Sequence, residues 1–247
     1  MARLEKNVNA NPNVVVEVRH SAAGKSHRLL RALFPLFVLG SIAFGIAWLA
    51  AETGFANIPF ITPFAFQTPR PVREVKPEKP VDVFVGETVV AETRRRLAVD
   101  GTLSDGRIAF SIPEGSLTAS LQAMVPNLPQ LPFDASRSQV AVDPAGMELF
   151  LPLKNQALNT ALRVVIVPGT VDGLLTLDVK DVWIGTLKVP HALAKPLFGN
   201  MLLRALGPFI QDIGRYAKLS SVVSETGALS IEGETSVQIV PLPASPL

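Results

Sequence analysis

The sequence predicts an α+β protein: a single transmembrane helix followed by a mostly antiparallel sheet, packed with a short helix and a long amphipathic helix. Three observations carry this. Twenty consecutive uncharged residues run from Ala32 to Ala51. Beyond residue 80, short segments alternate apolar and polar side chains with the period of a strand. From His191 onward the apolar period becomes that of a helix.

The uncharged run, ALFPLFVLGSIAFGIAWLAA, is dominated by Leu, Ile, Val, Phe and Trp. As a helix it measures about 30 Å, the thickness of a bilayer's hydrocarbon core. Pro35 is expected in its first turns, where a missing N–H costs least. Arg19, Lys25, Arg28 and Arg31 precede the span, and no Lys or Arg follows it until Arg70. The positive-inside rule then puts the N-terminus in the cytoplasm and everything after Glu52 outside it, so a single-pass protein of the cytoplasmic membrane is expected. A cleaved signal peptide is the competing reading. It fits less well, because the apolar run is long and Gly54-Phe55-Ala56 is a poor small-x-small cleavage site.

The expected organisation is a cytoplasmic tail over 1–28, a transmembrane helix over 29–52, a juxtamembrane and proline-rich stalk over 53–82, and an extracytoplasmic α+β domain over 83–243. In the juxtamembrane segment NIPFITPFAF, Phe60, Phe64 and Phe66 serve either as interfacial anchors or as an apolar, strand-like lead into the domain. Pro69, Pro71, Pro77 and Pro80 enforce extended backbone, which reads as a semi-rigid spacer.

In the body, strands are expected at Val81–Val90, Arg96–Val99, Arg107–Ile112, Gln139–Val142, Met147–Leu153, Leu162–Val167 and Leu174–Lys180, the last continued through Val182-Trp183-Ile184-Gly185 to Val189-Pro190, then at Ser220–Val223 and Ala228–Glu232, with Val237–Val240 as an edge. Turns fall at Asp143-Pro144-Ala145-Gly146, Pro168-Gly169, Asp172-Gly173 and Glu225-Thr226-Gly227. Leu117, Leu121 and Met124 mark a short helix from Gly115 to about Val125. Over His191–Ala217, Leu193, Leu197, Met201, Ala205, Phe209 and Ile213 line one side of a long helix, and Leu202 and Leu206 broaden the stripe.

Composition narrows the chemistry. Residues 1–31 carry six basic and two acidic side chains, leaving 17 basic and 19 acidic in the rest, so the body is not a basic nucleic-acid-binding domain. Cys is absent, which removes thiol nucleophiles, disulfides and Cys-ligated metals. Of the three histidines, His20, His27 and His191, only His191 lies beyond the span, and no G-x-S-x-G elbow accompanies it. The carboxylate pairs Asp178 with Asp181 and Asp100 with Asp105 read as strand-face and turn residues. No catalytic residue, cofactor or metal site is therefore expected.

The apolar excess is the positive feature. The default reading is a closed core in which helix and sheet bury each other. The functional reading is a groove for an apolar or lipid-like ligand, lined by Leu175, Leu177 and Trp183 of the sheet and by Leu197, Met201, Phe209 and Ile213 of the helix.

Phe110–Val125, FSIPEGSLTASLQAMV, and Gly173–Pro190, GLLTLDVKDVWIGTLKVP, together resemble the YpmS-like single-pass envelope proteins, with Gly185 and Pro190 at the matching places of the second signature. The likeness covers roughly residues 83–235 and rests on alternation, Gly and Pro. It implies an anchored extracytoplasmic domain, akin to tubular lipid-binding modules, and transfers no catalytic residue. The longer tail and the proline-rich stretch depart from that pattern. Two functions are thus in play: a non-enzymatic module for an apolar ligand, or a structural and assembly subunit of an envelope complex that docks a protein partner.

Overall fold

The computed structural model describes residues 23–100, 106–127, 132–154, 158–199, 206–207, 210–211, 213–214 and 217–235. The chain divides into two compact units, Met1–Gly45 and Ile46–Leu247.

Helix α1, Ala23–Thr53, crosses that boundary. Among the described residues it is the one helix long and apolar enough to cross a membrane. Leu33, Phe34, Leu36, Phe37 and Leu39 are all more than half exposed, and the Ser41 hydroxyl is satisfied within the helix by the Phe37 carbonyl at 2.9 Å. Because the helix starts at Ala23, Pro35 lies in its interior rather than in its first turns. Its ring removes the bond to the carbonyl four residues back.

In the larger unit, α2 (Thr62–Ala65) is followed by the proline-punctuated stretch, which is extended as expected but is not a free spacer. The Val72 N–H donates to Glu148, the Val75 N–H to Gln139, and the Glu78 N–H to the Gly115 carbonyl. This strap covers the outer face of a sheet, which explains why Gln139, Glu148 and Phe150 are each less than a tenth exposed.

Val81–Asp100, expected as two strands, is instead helix α3. Val81, Val85 and Val89 are buried, four residues apart, whereas Val83 and Val90 are exposed. The β-branched content of the segment yields to tertiary burial of one helical face. Strand β1 (Arg107–Pro113) runs into α4 (Glu114–Met124) as expected, and the Thr118 hydroxyl ties α4 to Val140 of the neighbouring strand.

Next come β2 (Gln139–Asp143), β3 (Gly146–Pro152), β4 (Ala161–Val171), β5 (Leu174–Ile184) and β6 (Leu187–Lys188), a five-stranded antiparallel meander. The Asp172-Gly173 turn has both residues at positive φ, +54° and +80°, the backbone of a type I′ hairpin. Pro168-Gly169, expected as a turn, lies inside β4, paired with Leu177 and Thr176. The segment after Pro190 forms α5 (His191–Ala194) and then a π-turn at Lys195–Gly199. Ala217, expected at a helix end, opens β7 (Ala217–Glu225), which pairs with β8 (Ala228–Thr235). Strand β8 also pairs with β1, giving a second sheet in the order β1-β8-β7. The tail to residue 22, Asp105 and the expected strand Val237–Val240 lie outside the described residues.

One core unites the inner faces of both sheets with α3 and α4, through fully buried side chains such as Ile112, Leu149, Leu162, Ile166, Val182, Leu229 and Ile231. At its margin, Asp134 caps the short turn Ala135–Arg137 by accepting from Ser136. The Ser136 hydroxyl, aided by Lys154 and Arg137, holds the Asp134 carboxyl below its ordinary 3.8. A depressed carboxylate stabilises the fold above its unfolded pKa and loses that contribution as pH falls through the folded value. Asp134→Ala is therefore expected to cost roughly 0.5–1 kcal/mol at neutral pH, and the gap in urea midpoint should close in acid.

Candidate functional site

The groove residues proposed from sequence do not share one wall, and a β-bulge is the reason. Val165 of β4 pairs with Asp181 and Ile166 with Val179, so Lys180 is the extra residue. A bulge advances the side-chain alternation by one. Leu175, Leu177 and Val179 point inward before it, Val182 and Ile184 after it. Trp183, in phase with Leu175 by simple alternation, is thereby turned to the opposite face. There it lies between the Arg163 guanidinium, 4.8 Å from the ring centre, and the Lys188 ammonium at 5.3 Å. Lys188 also pairs with Asp181 at 2.7 Å. The buried Nε of Arg163 has no hydrogen-bond partner among the described residues.

Leu197 is the second correction. It is 62% exposed and Leu193 is 51% exposed, whereas Ala194, Leu206 and Ile213 are buried, and Phe198 and Ile210 pack on the core. Among the described residues Ala194 and Phe198 face inward where Leu193 and Leu197 were expected, while Leu206 and Ile213 are buried as expected. Met201 and Phe209 lie outside the described residues. Of the seven residues proposed, Leu175, Leu177 and Ile213 join the core.

Two small apolar cavities remain at this place. One of about 80 Å³ is lined by Ile166, Leu177, Val179, Gly199 and Leu206, with Asp178 and Lys195 beside it. These two form a loose, exposed ion pair of 3.9 Å. The other, about 20 Å³, lies between Leu117, Leu121 and Met124 of α4 and Val140, Met147 and Leu149 of the sheet. Both touch Leu177 and Leu206. Strand alternation alone could have nominated Ile166; which residues of α4 line the second cavity depends on the packing of distant segments.

His191 is exposed at the start of α5. Asp178 and Asp181 are each engaged by a lysine rather than by one another. Among the described residues, no three His, Asp or Glu side chains group as metal ligands.

A second constellation was not anticipated. The last turn of α1 is clamped by the body. The Thr186 N–H and hydroxyl both reach the Glu52 carbonyl at 3.0 Å, and that hydroxyl is shared with the Ala65 carbonyl at 2.9 Å. The Thr160 hydroxyl donates to the Thr53 carbonyl at 2.5 Å. These donors satisfy carbonyls that a helix end leaves unpaired. Gly185, at φ +62°, permits the approach: a Cβ there would lie 2.5 Å from the Glu52 oxygen.

No protein-family model matches the chain, and no curated protein matches it.

Proposed function

We propose that this is a single-pass protein of the cytoplasmic membrane, with a cytoplasmic N-terminus, whose body lies outside the cytoplasm and binds an apolar, lipid-like ligand without catalysing a reaction. One observation carries the ligand reading. Two apolar cavities meet at Leu177 and Leu206, between the inner face of β4–β5, α4 and the segment beyond the π-turn. The basic flank before the span supports the orientation, and the likeness to YpmS-like envelope proteins supports the class.

At about 80 and 20 Å³ the cavities fall short of the roughly 300–1,000 Å³ of a ligand pocket. Loading therefore requires the wall at Lys195–Gly199 and Leu206 to move outward. In that wall a π-turn replaces regular α-helical hydrogen bonding, and an exposed ion pair, Lys195 with Asp178, spans its edge.

The test is photo-cross-linking of the full chain in phosphatidylcholine nanodiscs with a diazirine-bearing fatty acid. Labelled peptides are expected to include Leu177 or Met124. Leu177→Trp, which fills the cavity instead of opening the core, is expected to abolish that labelling while the protein stays folded. Labels confined to residues 23–66 would refute ligand binding in the body.

The exposed pair Leu193 and Leu197 favours a second reading, an assembly subunit that docks a protein partner. Leu197→Glu should then abolish co-purification of an envelope protein and leave fatty-acid labelling intact.

A further inference from the structure

We infer that residues 54–66 form a wedge seated in the interfacial layer of the bilayer, so that the body rests on the membrane surface instead of standing off it. This rests on the membrane-anchor reading above and adds a second point of contact.

The loop is inside out for an aqueous setting. Its buried side chains are Thr62 and Ala65, and the Thr62 hydroxyl is spent on the Ile58 N–H at 2.8 Å. Its outward side chains are Phe55, Asn57, Pro59, Phe60, Pro63 and Phe64, all but Asn57 apolar, with Phe60 88% and Phe64 81% exposed. A soluble surface scatters single apolar residues; a contiguous apolar patch marks a contact with something apolar. The backbone is held in this state against its own preference. Phe60 has φ +68°, an outlier for a bulky residue, and such conformations persist where the surroundings impose them. Those surroundings are visible: Ala65 is held through its carbonyl by Thr186, and Phe66 turns inward to pack against Gly54. Of the three expected anchors, Phe66 is thus a structural residue, and Phe60 and Phe64 are free to meet a partner.

The bilayer is the occupant that chain continuity selects. Phe55, Phe60 and Phe64 follow the last residue of the span, Thr53, within eleven positions, and the clamp at Glu52 and Thr53 ties the body directly to that helix end. Phe side chains at this depth bury their rings at the headgroup–acyl boundary while the polar groups around them stay hydrated. The far end of the same sheet, at Val171 and Leu174, lies about 33 Å away along β4, its eleven residues rising about 3.3 Å each. Val171 and Leu174 are also exposed and apolar, at 57% and 59%, and so provide a matched comparison.

The absence of cysteine makes the experiment direct. Single variants Phe60→Cys, Phe64→Cys, Val171→Cys and Leu39→Cys of the full chain are labelled with an environment-sensitive NBD dye. Each is placed in phosphatidylcholine–phosphatidylglycerol nanodiscs with and without doxyl-labelled lipid. Dye at 60 and 64 is expected to emit to the blue of dye at 171 and to lose most of its emission to headgroup-proximal doxyl, whereas dye at 171 is unaffected. Dye at 39 is expected to be quenched by doxyl deep in the chain. Quenching at 39 without quenching at 60 and 64 overturns the wedge and leaves the anchor standing. Blue emission at 60 and 64 that doxyl does not quench also overturns it, in favour of a second copy of this chain. No quenching at 39 overturns the anchor itself. Phe64 has no backbone strain to lose, so its variant reports even where Phe60→Cys rearranges the loop.

Discussion

Replacing Gly185 with alanine is expected to cost about 2–4 kcal/mol, and Gly227→Ala only about 1–2 kcal/mol, although both glycines occupy the left-handed region at φ +62° and +85°. The shared part is conformational: an L side chain with positive φ is penalised at either place. The difference lies in what the new methyl meets. At Gly227 nothing lies within 4 Å of it. At Gly185 it would press on the backbone of Glu52 and Thr53, at 2.5 to 2.9 Å. The helix end must then withdraw, and the bonds from Thr186 and Thr160 lengthen or break. Thermal unfolding in detergent measures both variants, each kcal/mol lowering Tm by roughly 2–4 °C in a chain of this size. Equal shifts for the two variants would show that the clamp contributes nothing. Thr186→Val provides an independent check, since it removes the shared hydroxyl without touching the glycine.

Arg73→Ala is expected to cost about 2–3 kcal/mol and to release the strap. The guanidinium makes a forked contact to Glu114, with Nε at 3.0 Å and Nη2 at 2.5 Å, and its remaining nitrogen reaches Asp143 at 2.7 Å. It also donates to the Val142 carbonyl. Three elements, the strap, α4 and β2, thus converge on one side chain of which 29% is exposed. Hydrogen bonds to Glu114 and then Asp143 hold the guanidinium charged well beyond its ordinary range, so alkaline titration of Arg73 does not break the contact. Removing the cation takes from Glu114 and Asp143 the counter-charge that Arg73 supplies to both. Arg73→Lys should recover little, because an ammonium cannot supply the fork. Trypsin gives the second readout. Arg70, Lys76 and Lys79 lie on the strap, and cleavage there should accelerate in the alanine variant before global unfolding begins. Unchanged cleavage with lowered stability would mean that Arg73 matters only to α4 and β2.

These expectations depend on contacts that the sequence did not announce, while much of the scaffold was legible in it. The strands from Arg107 and from Gln139 to Ile184, the α4 helix and the β7–β8 hairpin were all readable, because in/out alternation and the chemistry of turns such as Asp172-Gly173 are local properties. The apolar span was legible for the same reason, since length and uniform hydrophobicity are written in consecutive residues. Helix α3 was not. Its valines suit a strand or a helix, and only the core into which Val81, Val85 and Val89 fit decides between them. The candidate ligand site was half legible. Leu175 and Leu177 were found by alternation. Trp183 was misassigned because a bulge exists only in relation to a partner strand, and Leu197 because the face that α5 and the π-turn present to the core is set by how they dock on the sheet.

The sequence by itself determined the α+β class, the apolar helix, the first four strands of the meander and the apolar character of the sheet's inner face, each from periodicities that neighbouring residues set. The tertiary structure decided which side chains share a wall, that the proline-rich stretch is a strap, and that the end of α1 is gripped by Thr160, Gly185 and Thr186. Those outcomes turn on pairing between residues 37 to 76 positions apart in the strap and more than 100 in the clamp, where the energy of a contact depends on a partner that no local pattern names.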